Sequence, residues 1–315
     1  MVLEAFYEAA NLRKNPILAL PLGFLYTCIG IGLAFIIFPG VAGLASVAFA
    51  SILMLPSLTN LVASAEASER RGRKLSMFIL LRDNLPMIKI YLNMFLGAFF
   101  AYITFSLLLT GSIVPVVFAS QFGLAVHAGG VYLSMVTFSE ILVNNLLILL
   151  LCFFISFLIG NGAIFFITWN ASVWGVFFGN MAASAAAFGD QSPLTLIITI
   201  LAVVIIFVVI EALAYIMAAV SGSVLSRATL TEFKRKELTV YHKYATVMGV
   251  VSSRLSRKLL KEKWYAEAFS RIAMVNIVLL AFAILALIVG AAIEMLILEN
   301  VEIYEDIIFL SMGII

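Results

Sequence analysis

Residues 194–226 read LTLIITILAVVIIFVVIEALAYIMAAVSGSVLS, a run whose only charged side chain is Glu211 and which ends at Arg227. A hydrocarbon layer about 30 Å thick is crossed by about 20 helical residues, so this run spans a membrane with turns to spare. It is apolar on every face, as a helix surrounded by lipid or protein must be. Working outward, 17–38, 41–63, 88–110, 141–159 and 272–297 are of the same kind. A weaker stretch, GNGAIFFITWNASVWGVFFGNMAASAAAFGD from Gly160, is interrupted by Asn161, Asn170 and several glycines. It reads as a helix with a break, or as a re-entrant segment.

Composition agrees with that reading. Of 315 residues, 64% are hydrophobic and 11% charged, where a soluble domain carries about 25% charged residues. The chain is therefore expected to be an all-α, polytopic membrane protein with about seven spans, and the lipid bilayer is its first partner. A net charge of +2 gives no reason to expect nucleic acid as a partner. Cys28 and Cys152 both fall inside apolar runs, which argues against a disulfide framework and against a metal site. The N-terminus MVLEAFYEAANLRKNP is acidic before it is basic and lacks a small-residue cleavage site, so no signal peptide is expected. Val2, Leu3, Phe6 and Ala9 at helical spacing, opposite Glu4 and Glu8, suggest instead a short amphipathic surface helix ending at Asn15-Pro16.

The basic residues set the orientation. All 19 fall in three segments: Arg13 and Lys14; Arg70 to Lys89; and Arg227 to Arg271. From residue 90 to 226 there is no Lys or Arg. By the positive-inside rule the three segments are cytoplasmic, which requires an even number of crossings between 90 and 226 and favours counting 161–182 as a span. The expectation is seven spans in the cytoplasmic membrane, N-terminus inside, with Glu299, Glu302, Glu305 and Asp306 in an acidic external tail. Residues 1–226 then form a membrane domain, 227–271 a basic amphipathic cytoplasmic segment, and 272–315 the last helix and tail. The apolar connection 111–139 is expected to pack on the bundle.

Charged groups at bilayer depth cost roughly 2.5–3.5 kcal/mol on insertion scales, so each acid inside a span calls for a reason. Glu211 lies mid-span, whereas Glu140 and Glu294 are near enough to span ends to reach the outer interface. Asn144, Asn145, Asn161 and Asn170 form a second polar set, suited to bonding across helices or to freed backbone at a break. Gly175 and Gly179, extended by Ala182 and Ala186, make a small-residue face that serves either internal packing or a subunit interface, hence an expected oligomer. His127 and His242 fall on opposite sides of the membrane, no Walker or HExxH pattern occurs, and Phe188-Gly189-Asp190 has no second intramembrane Asp. No catalytic residues, cofactor or metal are expected.

NNLLILLLCFFISFLIGNGAIFFITWNASVWGVFFGN from Asn144 to Asn180 resembles the core of the stage II sporulation protein M family. The resemblance rests on the Asn144-Asn145 start, the break at Ser156, Gly160 and Gly162, and then Asn170, Gly175 and Gly179. The opening MVLEAFYEAANLRKNPILALPLGFLYTCIGIGLAFIIFP is similar to archaeal members, and the resemblance extends over most of residues 1–226. Family members commonly carry His-Gly shortly before the intramembrane Glu; Phe207 and Val208 stand there here, while Glu211, Ala218 and Gly222 match. In sporulating bacteria the resemblance implies a membrane scaffold that assembles with peptidoglycan-degrading partners. The sequence thus points first to a non-enzymatic scaffold or membrane organiser. The alternative is a small-solute, ion or lipid transporter or channel using Glu211 and the intramembrane asparagines.

Overall fold

The computed structural model describes residues 9–71, 77–109, 113–121, 138–247 and 262–300, and every regular element among them is a helix. In chain order these are α1 (Ala9–Lys14), α2 (Ala19–Ile37), α3 (Ala42–Arg71), α4 (Met77–Leu108), α5 (Val114–Val117), α6 (Phe138–Ile159), α7 (Ile164–Phe188), α8 (Pro193–Val247) and α9 (Glu262–Asn300). Short 3-10 turns at Pro16–Leu18, Pro39–Val41 and Asn161–Ala163 lead into α2, α3 and α7. Pro16 and Pro39 open theirs, at a position where the missing N–H has no helical partner to lose. Seven helices (α2, α3, α4, α6, α7, α8 and α9) are long and apolar enough to cross a membrane. The chain is an all-α, multi-pass membrane protein.

Details depart from the sequence expectation in instructive places. The stretch after Gly160 is not broken internally: α7 runs without interruption from Ile164 to Phe188, and the irregularity is confined to Gly160 and the turn Asn161–Ala163. Helix α8 does not stop at the membrane boundary but continues to Val247, so the basic segment begins as an extension of a spanning helix. The connection after α4 does pack on the bundle where it is described, burying Val114, Phe118 and Gln121. Residues 1–8, 72–76, 110–112, 122–137, 248–261 and 301–315 lie outside the described residues, and with them most of the expected N-terminal surface helix, His127 and the acidic tail beyond Glu299.

Two groups of helices share the core. Helices α2, α3, α4 and α7 pack on one another, α6 and α9 pack on α8, and α8 joins the groups by touching α7 and α4. Close backbone approach is built from glycine. A Cβ on Gly23 would meet Met94 O at 2.5 Å, and one on Gly97 would collide with Leu20 O and Phe24 N, so α2 and α4 touch main chain to main chain. Large side chains fill the remainder, with Tyr91, Phe99, Tyr102 and Phe178 fully buried. Ile36, Leu147, Leu158, Ile198 and Leu285 point outward, where hydrocarbon replaces water and outward apolar side chains carry no desolvation cost.

Candidate functional site

Helix α6 meets the bundle along one stripe. Ile141, Asn145, Leu149, Cys152 and Ser156 are buried, spaced four, four, three and four residues apart, which is one face of an α-helix. That face rests mainly on α8. On α8, Glu211 and Tyr215 are a turn apart and both buried, at 2% and 3% exposure. Two turns further along, Gly222 lets the α6 backbone approach: a Cβ there would collide with Phe153 O and reach Phe157 N at 3.0 Å. Helix α9 contributes Gly290 and, one turn on, Glu294, which is 3% exposed. The missing side chain of Gly290 makes room for Glu211, whose Cγ would lie 2.9 Å from a Cβ added there.

These three helices bring two acids and an amide together. Asn145 Nδ2 donates to Glu211 Oε1 at 2.6 Å. The carboxyl of Glu294 is close enough to interact with that of Glu211 directly, although Glu211 Oε2 makes no hydrogen bond of regular geometry among the described residues. Tyr215 lies within electrostatic reach of both carboxyls and of Cys152. Residues 90–226 hold no Lys or Arg, and Arg271, the last basic residue on α9, is about 34 Å along that helix from Glu294 at 1.5 Å per residue.

Of the sequence candidates, then, Glu211 and Asn145 share one site and the others do not join it. Glu294 joins it against expectation: its depth placed it near the outer interface, but the rotation of α9 turns it inward against Glu211. Glu140 and Asn144 are exposed on α6. Asn170 turns back on its own helix, donating to Phe166 O at 2.9 Å. Asn161 belongs to a separate cluster at the end of the bundle that carries the basic segments: Tyr91 OH donates to Asn161 Oδ1 at 3.2 Å and Asn161 Nδ2 to Thr59 Oγ1 at 3.2 Å. Beside it, Ser223 Oγ lies 2.9 Å from Gly160 O and 2.8 Å from Ala219 O, sharing one proton between two acceptors.

The small-residue face is used inside the chain. A Cβ on Gly175 would lie 2.8 Å from both Phe99 O and Tyr102 Cβ, and one on Gly179 2.7 Å from Ser106 Cβ, so both glycines seat α7 against α4. Ala182 is fully buried and Ala186 packs on the same core. That face is therefore not available as a subunit interface.

Sequence reading missed Tyr215, Gly290 and the inward turn of Glu294. The available signal was the four-residue spacing of Glu211 with Tyr215 and of Gly290 with Glu294, which puts each pair on one helix face. Among the described residues no group of three or more His, Cys, Asp or Glu side chains is arranged to hold a metal ion. What the site offers chemically is two carboxyl groups that can exchange a proton or a small monovalent cation, with an amide to orient one of them. Comparisons of the chain with protein-family models, with curated proteins and with solved structures find no match.

Proposed function

We propose that the protein is a secondary transporter of the cytoplasmic membrane, in which a proton or small monovalent cation binds at Glu211 and Glu294 and is coupled to movement of a small solute or ion. The observation that carries this reading is the convergence of two acidic side chains, 2% and 3% exposed, from α8 and α9. A purely structural contact is better served by amides and hydroxyls, which return roughly 0.6–2 kcal/mol across helices. Glu211, mid-span on α8, carries a cost of about 2.5–3.5 kcal/mol at that depth, so as helix glue it loses more than it gives. Ionisable side chains are kept at such depth chiefly where ions or protons pass.

The scaffold reading keeps one support of its own, the resemblance of residues 1–226 to the stage II sporulation protein M family, and loses another, because Gly175 and Gly179 are consumed in internal packing. Both readings are non-enzymatic. Ion flux in proteoliposomes separates them. Under imposed H⁺, Na⁺ or K⁺ gradients the wild type is expected to conduct or exchange one of these ions, while Glu211→Gln and Glu294→Gln fold normally and do not. Absence of flux for all three ions in a folded wild-type protein returns the scaffold to first place.

A further inference from the structure

We propose that the ion taken up by the acid pair is a proton, and that it arrives from the end of the bundle carrying the basic segments, along the α6–α8 seam past Ser156, Cys152 and Tyr215. The inference rests on reading Glu211 and Glu294 as a transport site, and it names both the ion and its route.

The seam sets hydrogen-bonding groups at regular intervals between the pair and that end. Tyr215 stands one turn from Glu211 on α8 and lies within electrostatic reach of both carboxyls and of Cys152. On α6, Cys152, Ser156 and Gly160 follow at four-residue intervals, which puts them on one side of the helix about 6 Å apart. Cys152 and Ser156 are fully buried. Ser156 meets α8 at Gly222, where an added Cβ would lie 3.0 Å from Ser156 Cβ. At the next α8 residue, Ser223 Oγ lies 2.9 Å from Gly160 O. The row ends at Asn161, 8% exposed, in the cluster already placed at the basic end.

Ser156 Oγ has no hydrogen-bond partner among the described residues. A serine or threonine inside a helix can satisfy itself by donating to the carbonyl four residues back, as Ser51 and Thr104 do here. A buried hydroxyl left unmatched costs about 1–3 kcal/mol. Alanine would fill the same place without that cost, so the hydroxyl serves a partner that comes and goes. At the other end of the row Glu211 Oε2 likewise lacks a hydrogen bond of regular geometry.

The spacing suits a proton and not a metal cation. One water with hydrogen bonds of about 2.8 Å on each side bridges groups about 6 Å apart, and Tyr, Cys and Ser side chains each donate and accept. Each bridging water passes one hydrogen forward as it accepts another. The hydroxyls and the thiol therefore end as they began, and one net proton reaches a carboxylate oxygen of the pair. Sodium or potassium needs several oxygens at once to replace its hydration shell, whereas the row offers one side chain per turn.

Hydrogen–deuterium exchange of the Cys152 thiol, followed through its S–H stretching band in the infrared, tests the route independently of flux. In full-length protein carrying Cys28→Ser, Cys152 is the only thiol, and it sits in the middle of the row. Transferred to D₂O, it is expected to exchange within minutes although it is fully buried. Ser156→Ala, on the basic side of Cys152, is expected to slow that exchange by about tenfold or more, because it then waits on local opening of the packed seam. Tyr215→Phe, on the acid side, is expected to leave the rate unchanged. Ser223→Ala takes the place of Ser156→Ala should that variant not fold. A parent thiol that keeps its hydrogen for hours overturns the proposal. So does slowing by Tyr215→Phe alone, which brings the proton from the opposite end, and so do equal rates in the two variants. Flux measured on the same preparations separates the two claims. Exchange through Ser156 without flux of any ion sustains the route and removes transport, whereas H⁺ flux without exchange does the reverse. Flux of Na⁺ or K⁺ without H⁺ overturns the assignment of the ion.

Discussion

Asn145 and Glu211 are joined at 2.6 Å between two helices, and the strength of that bond has a measurable bound. Interhelical hydrogen bonds in membranes average about 0.6 kcal/mol and reach about 1.7 kcal/mol, because the separated helices also find partners. A double-mutant cycle of Asn145→Ala and Glu211→Ala, read by reversible unfolding in mixed detergent, is expected to give a coupling in that range. Glu211→Gln preserves a side-chain oxygen for Asn145 to donate to and should keep most of the coupling. A coupling indistinguishable from zero removes Asn145 as a group that orients Glu211. The residue scale is also where sequence reading fell short. Hydropathy reports depth along a helix and says nothing of rotation about its axis, so Glu294 looked interfacial although it faces Glu211.

Helix pairing in this chain is decided by glycines that the sequence displays without assigning. The spacing of Gly175 and Gly179 announced a close helix contact, and there is one; which helix fills it was not legible, since an internal neighbour and a second copy present similarly apolar surfaces to that face. The seven spans themselves were legible because a lipid-crossing helix must be apolar along about 20 residues, a property local to the sequence. By contrast, the 160–190 stretch reads as broken or re-entrant, yet its irregularity is confined to the turn that joins it to the preceding span, because glycines and asparagines mark irregularity without fixing its limits. The packing assignment makes a prediction. Gly175→Ile and Gly179→Ile each insert bulk against α4 and should destabilise the fold by about 1–3 kcal/mol, the usual cost of overpacking, with no change in oligomeric state in mild detergent. Gly32→Ala, where a Cβ meets nothing within 4 Å, should leave the melting temperature unchanged. Loss of oligomers with an intact fold in the Ile variants contradicts the internal assignment.

At the scale of the whole molecule, seven alternating helices place the start of α2, the connection from α3 to α4, and the connection from α8 to α9 at one end of the bundle. All 19 Lys and Arg residues fall in or beside those three places. The other end, including the turn between α7 and α8, has none. Lys and Arg near span ends hold a loop on the cytoplasmic side, and the bias is counted over short loops close to the membrane, which the 70–89 segment satisfies directly. The expected orientation is the basic end inside. Two exposed positions report it: Gln191, in the α7–α8 turn, and Thr229, where α8 leaves the span. In intact cells and a cysteine-free background, a membrane-impermeant maleimide should label Gln191→Cys and spare Thr229→Cys until the membrane is permeabilised. The reverse pattern inverts the protein, whereas labelling of both or of neither before permeabilisation contradicts an odd number of crossings between α7 and the basic extension of α8.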